Sequence, residues 1–265
     1  QVRPHKGQID TAAAMRELLE GSEIVLQPKS YVQDPYSFRC VPQVHGAAKD
    51  TIDYVERVID TEINSATDNP TVCPKDDLII SAGNFHGEPI ALPMDFLAIA
   101  LSELANISER RIYKLVSGTR GLPSFLVASP GLNSGFMITQ YTAASVVSLN
   151  KSYCSPASVD SIPSCQGQED HVSMGTIAAR KARMILDNAQ KVLGIELFAA
   201  SQGLYLRHGE DKMAPATKAV YDRIREEVAP IHDDVVMYEQ MNKFDNMIKS
   251  EAIVRAAEAV TGELD

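Results

Sequence analysis

Val44, Ala47, Ala48, Ile52, Val55, Val58, Ile59 and Ile63 recur at spacings of three and four. That period, held over so long a stretch, constrains the chain more than any other feature and predicts one amphipathic helix running to about Ser65. NSATDNP then ends it, because these residues favour caps and turns over helix interior. The pattern returns over residues 93–116, where MDFLAIALSELANISERRIYKLV is apolar nearly all round in its first half, as for a helix buried in a bundle. SERR is then expected to restore a polar face, and Pro93 suits a first helical position. Further helices are predicted over residues 135–153 and 174–206, with two shorter ones following Pro215 and Asp234. Upstream, RPHKGQID reads as a loop entering the helix TAAAMRELLEGS, which Gly21 ends. Alternating patterns are scarce, LIISAG being the best strand candidate, and no repeat or low-complexity tract interrupts the series. The fold class that follows is all-α: a bundle of long, mostly antiparallel helices with functional loops between them, in one domain over residues 1–265. Alanine-rich stripes such as IAARKA permit close helix contact and suit an oligomer whose bundles share helices.

The net charge of -10 argues against a nucleic-acid or anionic-membrane partner. No apolar run looks long and uninterrupted enough to span a bilayer, and QVRPHKGQID has no apolar core of a signal peptide. Cys40, Cys73, Cys154 and Cys165 form no CxxC pair, so neither a zinc site nor a disulfide framework is expected. The cytoplasm is the expected compartment.

The unusual residues sit between the helices, in QDPYSFRC, SAGNFHGEP and SCQGQEDHVSM. Pro35 fixes its own φ and pushes Asp34 out of the α region, so a regular helix should not pass through QDPYSFRC. Three-residue-per-turn geometry, 3₁₀ or polyproline II, would bring Gln33, Tyr36 and Arg39 to one side. An amide, a phenol and a guanidinium together can hold a small polar molecule; exposed polar residues at a capped helix start are the plainer alternative. In GNFHGEP, glycines flank Phe85 and His86 and allow close approach of another group, or else a tight turn that plugs Phe85 into the core. His86 and Glu88 lack a third ligand at helical spacing, so no metal is expected. Glu169, Asp170 and His171 precede a long helix, where carboxylates complement the macrodipole or one points into a cleft as acid, base or anchor. GLNSG does not match GxSxG, and no phosphate-binding GxxxxGK[ST] occurs.

Taken together, RPHKGQ, QDPYSFRCVPQVHGAAKD, NSATDNP, GNFHGEP, ISERR, LNSGFM and QEDHVSMG resemble the aromatic amino-acid ammonia-lyase family, in its order and over nearly the whole chain. EDHVSM looks like the histidine ammonia-lyases of that family. The resemblance implies elimination of ammonia from L-histidine to give urocanate. It also implies an electron sink, methylidene-imidazolone (MIO), formed by cyclising an Ala-Ser-Gly segment. By resemblance, Arg39 would clamp the substrate carboxylate, Tyr36 would lie beside the reacting carbon and MIO, and Gln33 would help hold the site. Phe85 would pack over MIO and substrate, and Glu169 would meet the imidazole. The sequence departs from the family in having no Ala-Ser-Gly, and the family's N-terminal Tyr and His have no counterpart. The chain therefore resembles the C-terminal half of such a lyase, inactive alone, with an N-terminal MIO-bearing half as partner in a tetrameric homo-oligomer. A non-catalytic scaffold derived from the lyase, and a MIO lyase or aminomutase for another aromatic amino acid, are the alternatives.

Overall fold

Helix α5 (Glu88–Val116) is the spine around which the other long helices, α4 (Val41–Ile63), α6 (Met137–Tyr153) and α7 (Gly175–Leu206), are arranged. The computed structural model describes residues 2–264, and among these the remaining α-helices are α1 (Lys6–Leu19), α2 (Glu23–Leu26), α3 (Tyr36–Arg39), α8 (Pro215–Glu227), α9 (Met237–Lys249) and α10 (Ala252–Thr261). One small hairpin, β1 (Thr71–Cys73) against β2 (Leu78–Ile80), pairs antiparallel with Thr71 opposite Ile80. The all-α class is therefore as expected, and LIISAG supplies one of the two strands.

Contacts between side chains fix the directions of the helices. His45 meets Arg111 and Tyr54 meets Phe96, so α4 runs antiparallel to α5. Gln140 bonds Glu109 while the Cys154 thiol reaches the Ala98 carbonyl, so α6 is antiparallel to α5 as well. Yet Asp95 pairs with Lys181 and Ser108 with Glu196, which makes the central pair α5 and α7 parallel. Two hairpin-like connections in succession produce that result, since the first and third helices of an up-down-up series share a direction. Small side chains line the contacts: Ala98, Ala105, Ala143, Ala178, Ala182 and Ala189 are all buried, so these alanines serve packing within the chain. At one end a thicker aromatic core forms, with Phe136 and Phe198 ring centroids 4.5 Å apart and Phe198 and Phe244 4.9 Å apart.

Two helix starts and one helix face differ from expectation for local reasons. Helix α1 already begins at Lys6, because Gly7 is packed against α4: a Cβ on Gly7 would lie 2.2 Å from the Gly46 carbonyl oxygen. Helix α5 begins at Glu88 rather than Pro93; Pro89 takes the first-turn position, and Pro93 lies inside the helix, where its own i→i−4 hydrogen bond is missing. SERR is not a polar face. Ser108, Glu109 and Arg111 are buried, and Arg110 alone of the four is largely exposed. Contrary to the expectation of no membrane-length apolar segment, α5 is apolar and long enough to cross a bilayer, but here it threads protein and carries buried Asp95 and Glu109.

Candidate active site

Segment QDPYSFRC contains one turn of α-helix, α3, that starts immediately after Pro35. The Pro35 carbonyl accepts from the amides of Phe38 (3.0 Å) and Arg39 (3.1 Å), and the Tyr36 carbonyl accepts from Cys40 (2.9 Å). The geometry is therefore neither 3₁₀ nor polyproline II, and proline acts as the residue before the helix, where its missing amide costs nothing. The expected convergence still occurs. Tyr36 and Arg39 are three apart on one turn, the Arg39 guanidinium lies 4.8 Å from the Tyr36 ring centroid, and its Nη1 donates to Gln33 Oε1. Tyr36 is 72% exposed, so its phenol is presented outward.

A buried network that sequence reasoning missed lies behind this turn. Arg111 grips the Glu196 carboxylate with Nε and Nη2, the latter at 2.7 Å, and Ser108 Oγ donates to the same carboxylate at 2.6 Å. Arg111 Nη1 also reaches the Ser37 carbonyl and His45 Nε2, each at 3.4 Å. Helices α4, α5 and α7 are thereby tied to the middle of α3. Charged residues in the apolar ISERR helix were the available signal.

Burial, with Arg111 next in weight, pushes the His45 imidazole down to about 4 from 6.5, despite an opposing pull from Glu196; Lys49 also lowers it. His45 is thus neutral when folded, and the unfolded chain binds the extra proton between these values. Its stabilisation is complete above pH 6.5 and lost as pH falls toward 4, by about 3 kcal/mol. Urea unfolding of wild type and His45→Gln at pH 7 and 5 checks this. The wild type should lose more stability than the variant, and equal losses would contradict it.

The second loop, GNFHGEP, is braced from behind. Asn69 Oδ1, in NSATDNP, accepts from Ser81 Oγ (3.2 Å) and the Ala82 amide (3.0 Å), and Asn84 Nδ2 donates to the Ala66 carbonyl at 3.0 Å. Phe85 is 57% exposed, which overturns its reading as a core plug. The Glu88 amide donates to His86 Nδ1 at 3.3 Å; this leaves His86 Nε2 to donate to the His171 carbonyl at 3.2 Å. The two imidazoles also stack, with centroids 5.4 Å apart. His86 is a strut between loops, and no cluster of metal ligands occurs among the described residues.

In the third loop the Ser164 amide donates to the Glu169 carbonyl at 2.9 Å, and Ser164 Oγ donates to its carboxylate. Glu169 is exposed and lies well before the first turn of α7, so it does not complement that helix's macrodipole. Hydrogen bonds from Ser164, then Cys165, hold its carboxyl below the usual range. Such a group is ionised at neutral pH and suits an acceptor for a ligand N–H better than a strong base. Gln33, Tyr36 and Arg39 form one cluster; Phe85 and Glu169 sit on two loops joined through His86 and His171. Among the described residues no hydrogen bond, ion pair or ring contact links that cluster to Phe85 or Glu169.

The profile of the aromatic amino acid lyases matches residues 1–226. The chain is 51% identical to histidine ammonia-lyase 1 of Fusobacterium nucleatum, covering all of this chain at 100% and 52% of that protein. It is 58% identical to the histidine ammonia-lyase of Caldanaerobacter subterraneus, over 94% of this chain and 49% of that one. Among solved structures, the histidine ammonia-lyase of Trypanosoma cruzi superposes with a TM-score of 0.91 at 43% identity, over 99% of this chain and 49% of that one. A tyrosine aminomutase of Streptomyces globisporus reaches 0.94 at 38% identity, over 100% and 54%. The chain spans about half the length of the relatives it matches. By its motifs, its fold and these likenesses, the chain belongs to the aromatic amino acid lyase family.

Proposed function

We propose that this chain is part of a histidine ammonia-lyase and supplies substrate-binding and site residues to a MIO-bearing segment. The observation that carries the reading is the convergence of Gln33, Tyr36 and Arg39 on one anchored turn, in a chain that also presents an ionised Glu169. The Arg39 fork suits the substrate carboxylate. The outward phenol of Tyr36 suits proton transfer or hydrogen bonding at the β-carbon. Glu169 accepts the imidazole N–H, which is what favours histidine over the tyrosine named for the aminomutase neighbour. The reaction removes the β-proton and expels the amino group as ammonia, leaving a double bond between the α- and β-carbons. The residues present suit MIO: Phe85 and Tyr36 offer exposed aromatic faces on braced loops. MIO supplies the electron sink that an unactivated β-carbon needs.

Two further features support a partner. One Glu88 carboxylate oxygen is buried with no hydrogen-bond partner among the described residues. A groove of about 560 Å³ between α4 and α5, lined by Val44, Ala47, Tyr54, Phe96 and Ile99, leaves apolar surface open. A site assembled from several subunits would account for the missing link between the two halves of the constellation. In the assembled enzyme, this chain with the MIO-bearing segment, Glu169→Gln is expected to lower kcat/KM for histidine by about 10- to 100-fold. Steady-state urocanate formation measures it, and unchanged kinetics would remove Glu169 from the site.

A further inference from the structure

Arg120 follows α5 in the stretch SGTRGLP with φ +58°, a left-handed conformation that residues bearing a Cβ avoid. Gly118 and Gly121 on either side have φ +68° and +79°, so a third glycine would fit the backbone better. The side chain explains the arginine. Its Nη1 donates to Asp34 Oδ1 at 2.9 Å, its Nη2 to the Gln33 carbonyl at 3.2 Å, and its guanidinium carbon lies 3.6 Å from the Tyr31 ring centroid. Arg207 in turn donates to the Arg120 carbonyl, and Lys29 holds the other Asp34 oxygen at 2.6 Å. A planar fork lies flat on the ring while it donates in its own plane to two acceptors, a geometry that the compact ammonium of a lysine does not reproduce.

Gln33, held at its backbone by Arg120, accepts from Arg39 through its side chain. We propose that Arg120 is a positioning residue that fixes Gln33 and thereby the direction of the Arg39 guanidinium. The inference rests on the proposed function. Tyr36 has a separate anchor, since Arg111 holds the Ser37 carbonyl within its turn. Loss of Arg120 therefore loosens the carboxylate clamp and leaves the phenol in place. A clamp that binds ground and transition state alike acts on KM.

The test is Arg120→Gly in the assembled enzyme, which relieves the backbone while removing the fork. KM for histidine should rise about tenfold with kcat within about threefold of wild type, and Arg120→Lys should not rescue it. Trypsin should cut the irregular segment after Lys29 faster, while cleavage within α4, α5 and α7 does not change. Asp34→Asn, which removes one contact, should move KM the same way by less, and it serves if Arg120→Gly does not fold. An unchanged KM overturns the proposal even where cleavage after Lys29 rises, because Arg120 is then only structural; unchanged cleavage overturns it as well. A wild type that releases no urocanate from histidine overturns the proposed function instead, and the cleavage comparison then decides whether Arg120 holds the segment of Gln33.

Discussion

Arg39→Ala in the assembled enzyme is expected to lower kcat/KM for histidine by about 100- to 1000-fold, with little change in thermal midpoint. The separation follows from where Arg39 sits. It is exposed, and its contacts are the Gln33 amide oxygen and the Tyr36 ring, on the same loop. An exposed cation–π contact of that kind is worth only about 0.5–1 kcal/mol. A desolvated carboxylate that loses its two-pronged donor, by contrast, costs about 2–5 kcal/mol, most of it from leaving a charge unpaired. Arg39→Lys keeps the charge without the fork and should fall between. Steady-state kinetics beside thermal unfolding reads both quantities. A parallel loss of folding and activity would make Arg39 structural, and unchanged kinetics would remove it from the site.

Arg111→Met should produce the largest loss of stability, about 3–5 kcal/mol in urea unfolding. Arg111 is buried at 7% exposure and holds both oxygens of Glu196; without it that carboxylate keeps, among the described residues, only the Ser108 hydroxyl. The penalty belongs to the abandoned charge, so Arg111→Met with Glu196→Leu should recover much of the loss. Because Arg111 also reaches the Ser37 carbonyl, the double variant should fold yet remain impaired in turnover. A single variant costing under about 1 kcal/mol would show that the pair is effectively solvent-screened.

Long amphipathic patterns made the bundle legible in the sequence. The period through Val44, Val55 and Ile63 sustains α4 and places Val55 in the core. Where neighbours decide, local patterns misled. Lys6 joins α1 because a backbone-to-backbone approach at Gly7 and Gly46 organises that end, and nothing in RPHKGQID announces a partner so far away in sequence. The break between α9 and α10 was likewise invisible: Glu251 takes φ +57° at a position where SEAIVRAAEAV continues a helical pattern. The parallel course of α5 and α7 depends on which helices touch, which periodicity does not encode. Of the candidate site, the loop chemistry could be read, since Gln33, Tyr36 and Arg39 do meet. Their supports could not, because Arg111 and Glu196 are 85 residues apart and meet only through the packing of α5 on α7.

We propose that these residues serve ammonia elimination from histidine only when joined to a MIO-bearing segment. The direct measurement is release of ammonia and urocanate from L-histidine by this chain alone and after assembly with a polypeptide carrying Ala-Ser-Gly. The chain alone should release neither, and the assembly should release equal amounts of both products. Turnover by the isolated chain, or an assembly that binds but leaves histidine intact, would overturn this reading.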